Sequence, residues 1–442
     1  MTRVPLTRTG VKFLPDARRV ITRPFIPGDD VSAAGRSRMR GILRRILDLP
    51  DALVVSTLAV TRERFSARHA DLETVLERSF AAVAHHVDDP GALSLERRQL
   101  IGAYFTSEFS IEAAALTNPS LVPAPEQGGV AAGACRFVLS LRGIGEGHVS
   151  SIQFRAGVID AEGQITLEQP GVRLRTAART VPLFDPPDFA AKLASSNYRV
   201  SFDPASTLSE RILFPAGPTE SHGMEDARFV RFADDDGVIT YYASYTAYDG
   251  DQVLPQLIET TDFLHFKVQA LNGPCAINKG IALFPRKLDG RFVALARLDN
   301  ENNHVIRSDS VYSWCERETL QSPVQPWELV QLGNCGSPLE TEAGWLVITH
   351  GVGPLRQYVL GAILLDARDP GRIVGRLREP LLVPSEDERN GYTPNVVYSC
   401  GSMILGDRLF LPYGFSDTGA SIATLRVSDL LTELVRQDSS AS

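Results

Sequence analysis

Nowhere in this sequence does an uncharged apolar run approach the roughly 18 residues that a membrane-crossing helix needs. The N-terminus, MTRVPLTRTGVKFLPDARRV, carries basic residues with no apolar stretch behind them. Neither a membrane span nor a secretory leader is expected, and the chain reads as cytoplasmic. Cysteine is scarce: Cys135, Cys275, Cys315, Cys335 and Cys400 are five, an odd number, and no two form a CxxC pair. A disulfide framework and a dithiol or zinc motif are thereby excluded, which leaves reduced, mostly buried thiols. The 45 lysines and arginines are outnumbered by 53 acidic residues, giving a net charge of −8. No basic run is long enough to build a cationic face, so neither nucleic acid nor an anionic membrane is an expected partner. His85-His86 lacks a carboxylate or further histidine at metal-ligand spacing, and no metal site is expected. Gly143-x-Gly145-x-Gly147 follows a strand without leading into a helix, which argues against a dinucleotide loop.

What is present is an ordinary globular composition, 43% hydrophobic and 22% charged, over 442 residues. That is long for one domain, although a β-propeller absorbs about 250 to 350 residues as a single unit. One large domain plus an extension is the expectation. Two textures divide the chain. From Ser32 to about Ser110 apolar residues recur at three and four, as in Ile42, Leu43, Ile46 and Leu47, then Leu72, Val75, Leu76, Phe80 and Val83, then Leu100, Ile101, Tyr104 and Phe105. This predicts amphipathic helices, with Asp71 and Ser94 as N-caps and Asp88-Asp89-Pro90-Gly91 as a stop between them. After Asn118-Pro119 short β-rich runs alternate with Gly, Asp, Asn and Pro, among them RFVLSLRG, VITYYASYTAYDG, RFVALARLDN, GWLVITHGVG and DRLFLPYGFSD. The anchors Phe137, Tyr241, Phe292, Trp345 and Leu409 have later spacings of roughly 50 to 65 residues and one longer gap, the period of four-stranded propeller blades. Several of these strands run into a polar residue: Arg142, Tyr248-Asp249, Arg297, His350 and Asp417. If equivalent strands run the same way, those residues converge on one mouth of the channel, where a polar ligand can be held.

The stretch richest in chemistry is Ser221-His222-Gly223-Met224-Glu225-Asp226-Ala227-Arg228. Neighbours on a strand point to opposite faces, so one of Glu225 and Asp226 is expected to look into the channel and the other to meet a partner such as Arg228. The same Glu-Asp-x-Arg cluster is also what a surface ion pair looks like. Lys279 and Arg297 likewise read as ordinary surface cations, and His350 as a buried histidine satisfied by backbone carbonyls, when each is taken by itself.

Taken together, NPS at Asn118, LSLRG at Arg142, GMEDARF at Asp226, YTAYDG, NKGIALFPRKLDGRFVALARLD, GNCGSPLETEAGWLVITHGV, YVLGAILLD, GRLREPLLVP, PNVVYSCG and LPYGFSD resemble glycoside hydrolase family 130, over roughly residues 115 to 425. The resemblance implies a mainly β fold, a five-bladed β-propeller with an N-terminal α-helical extension. The expected division is an N-terminal segment over 1–112, the propeller over 113–430 and a tail over 431–442. It implies an inverting β-mannoside phosphorylase that transfers a mannosyl unit to inorganic phosphate, with phosphate as co-substrate and no other cofactor. Asp226 matches the proton donor. Asn118, Arg142, Glu225, Tyr248, Asp249 and Asp417 fall on the side that binds the mannoside, and Lys279, Arg297, His350 and Tyr358 on the side that binds phosphate. Phosphorolysis needs one acid and a cationic cradle, because phosphate requires no base to activate it. One position departs from the family: Glu340 stands where a phosphate-binding lysine is expected, with Glu342 two residues on. Glu340 is the candidate general base if the chain is an inverting β-mannosidase. A β-mannosyltransferase using the same pocket and a propeller that binds sugar without turnover are the other readings, and the sequence leaves a homo-oligomer open.

Overall fold

In the computed structural model, the residues described are 4–27, 38–179 and 195–439. They form two compact units: one of the described residues within 17–111 and 171–175, the other of those within 1–16, 112–170 and 176–442. The expected start of the helical segment, Ser32, lies outside the described residues.

The chain opens with β1 (Thr7–Phe13), which belongs to the second unit, and passes through β2 (Val20–Pro24) into the helices α1 (Arg38–Leu47), α2 (Asp51–Phe65), α3 (Leu72–Val83) and α4 (Leu95–Tyr104), then β3 (Thr106–Ser110), which pairs with β2. Most of the apolar residues at three-and-four spacing do what their period predicts: Leu43, Ile46, Phe80, Val83, Leu100, Ile101 and Phe105 share one core, joined by Val54, whereas Tyr104 is exposed. Ser94 caps α4 by accepting from the Arg97 amide at 3.2 Å. Asp71 sits at the N-cap of α3 without capping it, because its carboxylate is drawn to Arg175 at 3.1 Å. Arg97 donates to the carbonyls of Ile46, Leu47 and Leu49 at 2.8 to 2.9 Å, satisfying groups that the end of α1 leaves without helical partners.

The second unit is mainly β, five antiparallel meanders in succession. The first is β4 (Ala115–Pro123), β5 (Cys135–Ile144), β6 (Ser150–Ile159) and β7 (Ile165–Leu167). Four short strands follow, β8 (Arg175–Thr176), β9 (Ala178–Arg179), β10 (Tyr198–Ser201) and β11 (Arg211–Leu213). The second meander is β12 (Gly223–Ala233), β13 (Ile239–Tyr248), β14 (Val253–Thr260) and β15 (His265–Ala270); the third is β16 (Lys279–Leu283), β17 (Phe292–Arg297), β18 (Asn303–Ser308) and β19 (Glu316–Gln321). In the fourth, β20 (Gln331–Asn334) and β21 (Leu339–Thr341) form one interrupted strand along β22 (Gly344–Val352), followed by β23 (Tyr358–Leu365) and β24 (Ile373–Arg376). In the fifth, β25 (Val397–Tyr398) and β26 (Met403–Leu405) pair in succession along one edge of β27 (Arg408–Phe415), β28 (Gly419–Arg426) pairs along the other, and β1 pairs with β28 as the outer strand.

The sequence anchors Phe137, Tyr241, Phe292, Trp345 and Leu409 all fall on the second strand of their meander, on β5, β13, β17, β22 and β27. Two boundaries differ from expectation. Residues 4–16 belong with the β unit, because β1 hydrogen-bonds to β28 and Arg8 is held bidentately by Glu388 at 3.0 and 3.1 Å. The tail expected over 431–442 is, as far as Ser439, part of a helix that starts earlier: α5 (Val427–Ser439), whose Leu430 and Leu434 are buried in the core shared with β22, β23 and β27.

Candidate functional site

Three of the meanders begin with the same device. In β4, β12 and β16 one extra residue is inserted opposite the second strand, between Thr117 and Ser120, Glu225 and Arg228, and Lys279 and Ala282. The inserted residue takes a left-handed backbone in each case, Asn118 at φ 49°, Asp226 at 55° and Gly280 at 84°. Asn and Asp are, after glycine, the residues that tolerate this conformation best. The bulge overturns one expectation. Because the alternation of faces is broken at Asp226, Glu225 and Asp226 turn to the same side, where both meet one guanidinium: Arg142 Nη2 donates to Glu225 at 2.7 Å and Nη1 to Asp226 at 3.4 Å.

Arg142 also donates from Nε to Ser150 at 2.8 Å, and Glu225 is shared with Lys279 Nζ at 3.2 Å. Burial works against the Arg142 charge, but Glu225, Asp226 and Asp417 outweigh it and lift its pKa above the ordinary arginine value. Asp417 lies in the turn after β27, also with a left-handed backbone, and Asn118 keeps its buried Oδ1 without a protein partner. Tyr248 and Asp249 fasten the turn after β13: the Tyr248 hydroxyl donates to the Gly250 carbonyl at 2.8 Å, and Asp249 Oδ1 accepts from the amides of Asp251 and Gln252.

Arg228 was expected to brace one of the two carboxylates and does something else. It is buried, donates to the Asn334 carbonyl at 3.0 Å and to its side chain at 2.5 Å, and from Nη2 to the Tyr398 hydroxyl at 2.7 Å. Asn334 in turn donates to the Gly280 carbonyl at 2.9 Å. One cation thus ties the first strands of four meanders together beneath the site. Asn334 and Tyr398 are not among the site residues that the sequence suggests, although the GNCG and VVYSCG blocks that carry them belong to the family resemblance.

On the other flank, Arg297 runs across Gly333, where a Cβ would come within 2.4 Å of Arg297 Cδ, and reaches His350. Its Nη1 donates to His350 Nε2 at 3.2 Å. Burial, then the Arg297 and Arg228 charges, hold the imidazole pKa well below its ordinary value, so His350 is neutral and accepts. Rings surround it, Tyr398 at 4.8 Å and Tyr358 stacked at 6.2 Å, and the Tyr358 hydroxyl accepts from Gln331 at 3.3 Å. His350 is fully buried, so in this geometry it holds Arg297 rather than presenting itself to a ligand. The Arg297 Nε is buried without a protein partner.

Glu340 is not brought to this cluster. It stands opposite Trp345 on β22, five residues before His350, a distance of about 17 Å at ~3.3 Å per strand residue. Its carboxylate is held by Arg286 at 2.6 and 3.3 Å, with the pair half exposed. The physical reason is local: Arg286 lies over Trp345, at 5.1 Å, and draws the carboxylate to the far end of the strand. Among the described residues no group of three or more metal-binding side chains is found.

A family profile described as β-1,4-mannooligosaccharide phosphorylase matches residues 194–436, more than half of the chain. A 1,2-β-oligomannan phosphorylase of Thermoanaerobacter sp. (strain X514) is 34% identical over 219 residues, 48% of this chain and 71% of that protein. A β-1,2-mannobiose phosphorylase of Listeria innocua serovar 6a is 32% identical over 237 residues, 52% of this chain and 65%, just under two thirds, of that protein. The solved structure of β-1,2-mannobiose phosphorylase from Listeria innocua in complex with β-1,2-mannobiose superposes with a TM-score of 0.51 at 25% identity, covering 74% of this chain and 93% of that one. With the profile spanning the four later meanders and a solved relative spanning nearly its own whole length, this chain belongs to glycoside hydrolase family 130.

Proposed function

We propose that this protein is an inverting β-mannoside phosphorylase, a cytoplasmic enzyme built as a five-bladed propeller in which the five meanders are the blades and β1 completes the last. The succession of meanders, with an anchor on each second strand, supports the propeller reading. Five unpaired cysteines, four of them buried, support a reducing compartment. The observation that carries the reaction is the division of labour between two arginines. Arg142 is neutralised by carboxylates, whereas Arg297 is backed by a neutral imidazole and keeps its charge for an anion.

In the proposed reaction the mannosyl unit lies against Asn118, Arg142 and Asp417, and Asp226 supplies the proton for the departing glycosidic oxygen. Phosphate, held by Arg297, Lys279 and Tyr358, attacks the anomeric carbon from the opposite face. The C–O bond to the acceptor breaks as the C–O bond to phosphate forms, and mannose 1-phosphate leaves with the shortened acceptor. Charge-assisted hydrogen bonds from the two cations suit a phosphate dianion. The hydrolase reading needs a base to activate water, and its candidate, Glu340, is paired with Arg286 elsewhere. Relatives named for β-1,2-linked mannosides make that linkage the first to test.

The experiment is incubation with β-1,2- and β-1,4-mannobiose, with and without inorganic phosphate, identifying the sugar released. Mannose 1-phosphate formed only with phosphate is the expected result. Free mannose released equally well without phosphate would overturn the phosphorylase.

A further inference from the structure

Behind Arg297 a row of polar side chains crosses the third meander from its first strand to its last. Lys279 on β16 faces Arg297 on β17. The β17–β18 ladder runs in unbroken register to Ala296 and His304, and its next step sets Arg297 beside Asn303. Asn303 in turn faces Gln321 on β19. Residues opposite each other on neighbouring strands project to the same face, so Arg297, Asn303 and Gln321 lie side by side. All three are buried, at 8%, 0% and 3% exposure.

Arg297 Nε, both polar atoms of the Asn303 amide and Gln321 Oε1 have no protein partner. Buried polar atoms in native proteins are satisfied, and each one left over destabilises the fold. The polarity of this set is ordered: Arg297 Nε donates, Asn303 Oδ1 accepts, Asn303 Nδ2 donates and Gln321 Oε1 accepts. One water between Arg297 and Asn303 and one between Asn303 and Gln321 would satisfy all four, and a site with this many convergent polar groups suits water. Asn303 is delivered by a fixed turn, in which Asp299 accepts from the amides of Glu301 and Asn302 and the Glu301 carbonyl accepts from the Leu332 amide of β20.

We propose that Asn303 and Gln321 are positioning residues that fix the Arg297 guanidinium through this buried hydrated row, so that Arg297 meets phosphate already oriented. The inference rests on Arg297 being a phosphate ligand. His350 anchors one end of the guanidinium and the row anchors the other, which leaves the remaining nitrogen free to bind the anion without reorganisation. Neither residue touches substrate; each acts through Arg297.

Asn303→Asp and Gln321→Glu keep size and shape while setting a carboxylate into the row. Inorganic phosphate binding to the full chain is measured by calorimetry without sugar, together with KM for phosphate and for mannoside. The expected result is phosphate affinity about tenfold weaker in Asn303→Asp and a smaller loss in Gln321→Glu, with KM for mannoside unchanged within about twofold. If Asn303→Asp does not fold, Gln321→Glu on the outer strand carries the test. Folded variants that bind phosphate as the parent does, even with lower melting temperatures, would show a merely structural row and overturn the inference alone. A parent protein that neither binds phosphate nor requires it would overturn the phosphorylase reading as well.

Discussion

Arg142 and Arg297 occupy the same place in two meanders. Each lies on the second strand, opposite the residue that precedes the left-handed bulge of the first, Thr117 for Arg142 and Lys279 for Arg297. Their surroundings are opposite. Arg142 meets two carboxylates at 2.7 and 3.4 Å, while Arg297 meets an imidazole nitrogen at 3.2 Å. The backbone repeat supplies position and the neighbouring meander supplies charge, so one structural device yields one arginine that is already neutralised by carboxylates and one that is not.

The largest effect on this comparison comes from the acid shared with Arg142. Asp226→Asn keeps the side chain's size but cannot donate the proton as a carboxylic acid does, and turnover is expected to fall about 10³-fold with sugar binding retained. Rate and mannoside affinity measured together check it; unchanged turnover would remove Asp226 from the chemistry. Next is Arg297→Gln, expected to raise KM for phosphate about 10- to 100-fold, the worth of one or two charge-assisted hydrogen bonds, while KM for mannoside stays within about twofold. Equal losses for both substrates would erase the distinction between the two arginines.

His350 sharpens the contrast through pH. Its folded pKa is depressed, so below the ordinary histidine value near 6.5 the unfolded chain takes up a proton that the folded one refuses. Its contribution to stability is present above that pH and is lost as pH falls, by up to about 1.4 kcal/mol per unit. Thermal unfolding between pH 7 and pH 5 should show this slope, and His350→Gln, which still offers an acceptor, should flatten it. The smallest effect is reserved for the pair outside the cluster. Glu340→Gln is expected to leave turnover within about twofold and stability within about 1 kcal/mol, as for a half-exposed ion pair; a collapse of activity in that variant would restore Glu340 as a base.

Much of this was readable in the residues. The apolar spacing located α3 and α4, and the recurring anchors located the second strand of each of the five meanders. The polar residues that end those strands include both arginines and His350. What the sequence could not show follows from geometry that alternation rules leave out. The bulge at Asp226 places consecutive carboxylates on one side, against the period of two, and bulges depend on the register of the partner strand. Asp71 has the right chemistry for a cap and is taken by Arg175, a partner 104 positions away. Glu340 was aligned to a phosphate position, and the side chain that moves it out of play, Arg286, lies 54 residues earlier on another meander. Arg228 was recognised as a cation in the right motif, but its partners come from β20 and β25, which no local pattern connects to it.

The strand added by β1 has a consequence in time. Thr9 bonds to the Ile422 carbonyl across a separation of 413 residues. At a synthesis rate of about 5 to 20 residues per second, β1 waits on the ribosome for roughly 20 to 80 s before its partner exists. For that interval β28's future neighbour, TRTGVKF, has no partner strand to pair with, and its two basic residues disfavour pairing with another chain.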